Sequence, residues 1–234
     1  MRKDPFLSAL FPCRCAICDG ILPLGKEGAC EDCLGRLEYL SQPLCCKCGK
    51  KVREEEEYCY DCSRKNHWFQ EAAAVFPYDS VRASLYRFKY GGRQEYARFY
   101  ARQMDLHLGK KVKEWRPQGL VPVPLHPKKK RLRGYNQAGI LAKELAQLWK
   151  LPVYENLVVR VKNTRPMKEI DGTKRQNNLK KAFKLGKNDV KLNTIIVVDD
   201  IYTTGSTVDA VAKVCREAGI RNVYVLSISI GHGL

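Results

Sequence analysis

Residues Ile195 to Thr207 read Ile-Ile-Val-Val-Asp-Asp-Ile-Tyr-Thr-Thr-Gly-Ser-Thr. The apolar run at its head suits a strand buried on both faces of a parallel sheet, where alternation with polar residues is not needed. The run ends in Asp199 and Asp200, and ligands of such sheets sit beyond the carboxyl ends of the strands. A hydroxyl- and glycine-rich loop follows, then a helical pattern from Val208 to Glu217. A loop of this kind aims backbone N–H groups and hydroxyls at an anion, with the positive end of a helix dipole behind it. Gly205 allows close backbone approach, and Thr203, Thr204, Ser206 and Thr207 supply uncharged donors. Two carboxylates beside that cradle can accept from ribose hydroxyls and help hold Mg²⁺, so the stretch reads as a sugar-phosphate site. Taken singly, its pieces make only a buried strand, an Asp turn and a capped helix; their order points to a ligand.

The segment resembles the phosphoribosyl pyrophosphate (PRPP) signature of type I phosphoribosyltransferases. That resemblance implies that Asp199 and Asp200 bind the ribose hydroxyls and that Thr203 to Thr207 wrap the 5′-phosphate. It identifies a site and not a reaction.

Outward from this segment, strand patterns recur at Ala72 to Tyr78, Gly119 to Pro124, Leu157 to Val161 and Asn222 to Ile230. Gly134-Tyr-Asn-Gln opens a helix with Leu141, Leu145, Leu148 and Trp149 on one face. Strands alternating with helices predict an α/β domain with a mainly parallel sheet. The loop after Val123 carries Lys128, Lys129, Lys130, Arg131 and Arg133 with no acid among them. It leaves a strand end, and its cations can face a pyrophosphate group. From Arg160 to Lys187 there are ten Lys or Arg against Glu169 and Asp171, a stretch able to close over a ligand or carry nucleic acid. For both stretches the plain alternative is a solvated basic loop.

Ten of the eleven cysteines fall between Cys13 and Cys62, and eight of these form four C-x-x-C pairs: Cys15/Cys18, Cys30/Cys33, Cys45/Cys48 and Cys59/Cys62. Each knuckle points two thiolates at one ion, and two knuckles complete a tetrahedral Cys₄ site. Taken in order, the pairs predict a double zinc ribbon with two structural Zn²⁺ ions. A disulfide framework is the rival reading, disfavoured because the opening residues do not form a secretion signal. Cys13 and Cys46 read as spectators, Cys215 as a buried thiol, and no histidine is given a role. The ribbon core is too small to hold without metal. The composition shifts near Lys65 to Gln70, giving a ribbon over residues 1–66 and an α/β domain over 67–234.

The formal charge is +17, from 42 Lys plus Arg against 25 Asp plus Glu. Eight thiolates on two Zn²⁺ ions lower that excess by only about four charges. The excess points to a polyanionic partner such as nucleic acid, and composition alone leaves a generally basic, soluble surface equally open. No run approaches the ~20 apolar residues needed to cross a bilayer, so membrane insertion is not expected and the cytoplasm is the default compartment. Val81, Leu85, Phe88, Tyr96, Phe99, Tyr100 and Met104 recur at helical spacing among arginines and lysines. Such interleaving can stack single-stranded nucleic acid, but a core face with cations on the wet side is the favoured reading.

Taken together, the four knuckles, Phe88-Lys-Tyr-Gly-Gly, Val121-Pro-Val-Pro-Leu, Arg133-Gly-Tyr-Asn-Gln, Arg175 with Asn178 before Ala182-Phe183, and the Asp199-Asp200 loop resemble the ComF-type competence protein family. The resemblance runs in order across nearly the whole chain. It implies a double zinc ribbon joined to a type I phosphoribosyltransferase-like domain with flanking helices. It implies a role in natural transformation: handling single-stranded DNA in the cytoplasm alongside a competence helicase and DNA-processing proteins. Met167 stands where many relatives carry glutamine. Two other readings remain open. One is an active Mg²⁺-PRPP transferase, in which Asp199, Asp200 and Arg133 serve catalysis by holding the ribose and the departing pyrophosphate. The other is a zinc-ribbon interaction module with a vestigial PRPP site.

Overall fold

The computed structural model describes residues 12–162, 182–186 and 190–231. Met167, Arg175, Asn178 and most of the basic stretch before Lys187 lie outside the described residues. In chain order the elements are α1 (Glu31–Arg36), α2 (Tyr60–Arg64), β1 (Ala72–Pro77), α3 (Tyr78–Tyr90), α4 (Tyr96–Trp115) and β2 (Leu120–Pro122). They continue as α5 (Pro127–Arg133), α6 (Gln137–Trp149), β3 (Val158–Arg160), β4 (Phe183–Leu185), β5 (Thr194–Tyr202), α7 (Ser206–Glu217) and β6 (Asn222–Ile230).

The β-branched run of β5 does what such a run predicts. Ile195 to Val198 are fully buried, inside a parallel sheet of order β1-β6-β5-β2. Side chains alternate across the sheet. Ile196 and Val198 join Leu226 and Ile228 in a core with α3, α4 and α6, whereas Ile195 and Val197 join Val223 and Val225 in a core with α7 and β3. The aromatic stripe belongs to the first core: Phe88, Tyr96, Phe99, Tyr100 and Met104 are all buried.

Three sequence expectations need correction. The basic stretch after Val123 is a helix, α5, and not a loop. Pro127 sits in its first turn, where the missing N–H costs nothing, His126 accepts from the Lys128 N–H, and Gly134 closes it at φ +84°. Leu148 is 43% exposed and lies off the apolar face of α6, which continues through Leu145 and Ala146 to Trp149. The strand after Leu157 does not enter the parallel sheet; β3 pairs antiparallel with β4 as a separate hairpin.

Among the described residues the ribbons have no separate core. Ala16 and Leu37 of the first pack into the α3/α4 side, and Cys45, Cys48 and Cys59 of the second pack into the α7 side. The cations beside the aromatic stripe divide: Arg82, Arg98 and Arg102 are exposed, whereas Arg87, Lys89 and Arg93 are half-buried, and several reach the first ribbon. Arg93 pairs with Asp19 at 2.9 Å, Arg98 with Glu27 at 2.9 Å, and Arg87 donates to the Ile17 carbonyl. The ribbon segment covers the free edge of β1, both from the link between the two cysteine groups and from the Cys45–Cys48 knuckle. Leu40 N–H donates to Val75 O at 2.9 Å, and Ala72 N–H to Lys47 O at 2.8 Å. An uncovered edge strand is a template for unwanted pairing, and here the ribbon segment caps it.

Because metal organises the segment that caps this edge, stripping metal should raise amide hydrogen exchange in residues 72–77 well before β5 loses protection. Unchanged protection of β1 in the metal-free chain would show that the ribbons hold the edge unaided.

Candidate functional site

The eight knuckle cysteines gather as predicted into two groups, Cys15/Cys18/Cys30/Cys33 and Cys45/Cys48/Cys59/Cys62, with the sulfurs of each group all within 4.8 Å of one another. Cys18 and Cys30 sulfurs lie 4.0 Å apart, and those of Cys48 and Cys59 3.6 Å. A tetrahedron of ~2.3 Å Zn–S bonds places sulfurs about 3.8 Å apart, so the groups fit Zn²⁺ and not disulfides. Backbone N–H groups of Ile17, Cys18 and Cys30 point at the Cys15 sulfur at 3.4–3.5 Å. Burial opposes ionisation of that thiol, yet these amides bring it down to about 7. Cys13 and Cys46 belong to neither group, and Cys215 is fully buried, where burial pushes its thiol up to about 12.

At the carboxyl end of β5 the strand alternation sends two adjacent carboxylates towards different cations. Asp200 meets Lys89 of α3, with Nζ 3.0 Å from Oδ2. The helix starts at the end of edge strand β1 and by its last turn reaches β5, two strands away. Burial works against the Lys89 ammonium, but Asp200, with Asp199 behind it, holds its pKa above the ordinary lysine value. Asp199 lies in the field of Arg160 from β3. Burial first, and then the Asp200 charge, push the Asp199 carboxyl up to about 7, against the pull of Lys89, the Asp200 N–H and Arg160.

More cations close the ring. Arg133, at the end of α5, donates to Gln137 Oε1 at 2.7 Å, and the Gln137 amide donates to the Lys89 carbonyl at 3.3 Å. Lys129 loses basicity through burial and then through Arg160 and Arg133, which places three cations on one another's field. On the neighbouring strand, the buried Ser227 hydroxyl stands in register with Asp199 and has no hydrogen-bond partner among the described residues. Lys89 and Arg160 were not singled out from sequence. Lys89 stood within a family motif, but its pairing depends on where α3 crosses the sheet.

The loop after β5 is built as a cradle. Gly205 has φ +70°, and a Cβ there would come within 2.4 Å of the Tyr202 hydroxyl, so only glycine fits. Thr204 and Ser206 hydroxyls share a hydrogen bond of 2.9 Å, and Thr203 and Thr207 flank them, half-buried. Tyr202 packs edge-on to Phe69, and burial, then the sulfurs of Cys48, Cys62 and Cys59, push its phenol pKa up. The cradle thus leans on the second cysteine group through one ring.

A second strap was invisible in sequence. His67, given no role there, has Nε2 3.6 Å from the Cys62 sulfur and Nδ1 3.3 Å from Asp209 Oδ1. Asp209, in the first turn of α7, also accepts the Trp68 N–H at 2.7 Å and lies 3.8 Å from Lys65. Outer partners of this kind orient metal ligands. Here they tie the last knuckle to the helix that begins at the cradle.

Two four-cysteine groups set against a parallel α/β sheet with an acidic strand end define a double-zinc-ribbon α/β protein. The double zinc ribbon domain family matches residues 6–63. Competence protein F of Haemophilus influenzae is 30% identical over 225 residues, spanning 94% of this chain and 97% of its own. The chain belongs to the ComF-type competence protein family. DNA utilization protein YhgH of Escherichia coli is 29% identical, across 92% of this chain and 95% of its own. Among solved structures, adenine phosphoribosyltransferase from Saccharomyces cerevisiae aligns at TM-score 0.36 and 16% identity, over 57% of this chain and 69% of its own.

Two outcomes follow from this geometry. Gly205→Ala should destabilise the chain by about 1–3 kcal/mol in urea unfolding, and Tyr202→Phe in the same chain should restore part of the loss. An additive double variant would show that the ring does not set the cradle. Asp199 takes up a proton on folding, so the stability it contributes is full below the unfolded value of 3.8 and lost as pH rises through about 7. Asp199→Asn should therefore raise Tm by roughly 3 °C at pH 8, with the gain shrinking towards pH 4. A gain that grows on acidification would contradict the buried-carboxylate account.

Proposed function

We propose that this protein is a DNA-uptake accessory of natural transformation that handles single-stranded DNA in the cytoplasm and carries a PRPP-binding site. The observation behind this is the ring of Lys89, Lys129, Arg133 and Arg160 around the Asp199–Asp200 strand end. It stands in a chain whose relatives are named for competence and DNA utilization.

The donor set fits PRPP. Thr203, Thr204, Gly205, Ser206 and Thr207 would hold the 5′-phosphate, through backbone N–H groups and hydroxyls at the start of α7. Asp199 and Asp200 would accept from the ribose hydroxyls and, with Mg²⁺ bound, share its charge. Arg133 and the lysines of α5, with Arg160 opposite, would face the pyrophosphate. Bound Mg²⁺ supplies charge neutralisation of the pyrophosphate oxygens. The chain's own part is positional: Lys89 holds Asp200, and Gln137 holds Arg133 to the Lys89 backbone. In the same reading the ribbon, residues 1–66, is a zinc-dependent support for the domain over 67–234. No described helix is long and apolar enough to cross a membrane.

Calorimetry with Mg²⁺ and PRPP tests the site. The wild type should bind and the Asp199→Asn/Asp200→Asn variant should lose at least about tenfold in affinity, or 1.4 kcal/mol. Equal binding by the two would remove the carboxylates from the reading. In anisotropy titrations, single-strand affinity should fall steeply with salt as counterions are released. No binding at low salt would end the DNA assignment.

A further inference from the structure

The aromatic residues of α3 divide between two environments. Phe88 faces the core, but Tyr86 and Tyr90 are 65% and 62% exposed on the opposite side. One helical turn apart, their rings stand 5.1 Å centroid to centroid with planes 49° apart. The Arg133 guanidinium lies 4.8 Å from the centre of the Tyr90 ring. Exposed tyrosines alone mean little. These two differ in what they join. Arg133 is held by Gln137, Gln137 by the Lys89 carbonyl, and the Lys89 ammonium by Asp200, so the rings continue directly into the acidic strand end.

We propose that Tyr86 and Tyr90, with Arg133 over the second ring, form the platform on which single-stranded DNA lays its bases as it passes the mouth of the strand-end site. This rests on the single-strand reading given above and adds its location. Tyrosine faces stack any base, which suits a protein that must accept incoming strands of any sequence. Arg133 supplies a planar cation that can stack with a base or meet a backbone phosphate. The neighbouring exposed residue Arg82 adds charge on the same helix. Two other exposed aromatics carry a cation among the described residues: Tyr60 under Arg64 at 4.1 Å, both on the ribbon helix α2 and outside the chain of contacts that leads to Asp200, and Trp68 under Lys213 at 5.3 Å, which suits a polyanion less well. The cavity of about 350 Å³ beside it is lined by Asp209 and Glu217 as well as by Lys65.

The test is anisotropy of a labelled oligothymidylate of about twenty nucleotides with the full, zinc-loaded chain. Tyr86→Ala/Tyr90→Ala should weaken binding at least about tenfold, with the same salt dependence as the wild type, because no charge is removed. Tyr86→Phe/Tyr90→Phe should bind within about twofold of the wild type, and a matching melting curve for the alanine pair shows that its loss is local. The placement is overturned if the alanine pair binds like wild type, or if Trp68→Ala takes the larger loss. If the wild type itself fails to bind the strand, the single-strand reading falls and the platform with it; binding by the wild type with an unaffected alanine pair sinks the platform alone.

Discussion

Two adjacent carboxylates leaving a strand that is buried on both faces impose the constraint around which the carboxyl end of this molecule is arranged. Neighbouring charges of like sign in a desolvated place cannot both stay ionised without help. The period of the strand separates them, and cations reach them from different layers: Lys89 from α3 pairs with Asp200 and also acts on Asp199, and the field of Arg160 from β3 adds to it at Asp199. The match is incomplete, and Asp199 retains a raised pKa. A site that keeps a carboxyl near neutrality in the free state can gain a full charge when cations arrive. Local instability of this kind is what a binding site is expected to carry.

The metal groups serve this arrangement from behind. Ribbon residues share cores with both faces of the sheet, and the second cysteine group touches the loop after β5 by two routes. Tyr202 fills the space a Cβ at Gly205 would need, and His67 links Cys62 to Asp209 at the start of α7. A structural zinc site in this position is part of the wall of the loop and not a separate module attached to it.

Much of the fold was legible. The β-branched run, the cysteine spacing and the terminal strand carry their own geometry, because period and turn chemistry act within a few residues. The tight turn at Gly205 was legible for the same reason: the glycine and its hydroxyl neighbours are contiguous. What could not be read was anything that depends on two elements meeting. Lys89 reaches Asp200 only because α3 crosses the sheet, and His67 finds Asp209 across 142 positions. The aromatic stripe was correctly a core face, yet the cations beside it largely hold the first ribbon, which spacing along one helix cannot reveal. The like-charged run at Lys128 suggests a loop, whereas Pro127 and Gly134 are the boundary signals of the short helix that forms there.

The covered edge of β1 has a bearing on how the chain comes into being. The sheet neighbour of β1 is β6, the last strand in the described chain, and the ribbons that flank β1 have no core apart from the sheet. During synthesis the ribbons therefore emerge long before the surface they rest on exists. Closing contacts between such distant segments is slow. In that interval the cysteines have only the ion to organise them, so metal supply and translation meet at the first sixty or so residues.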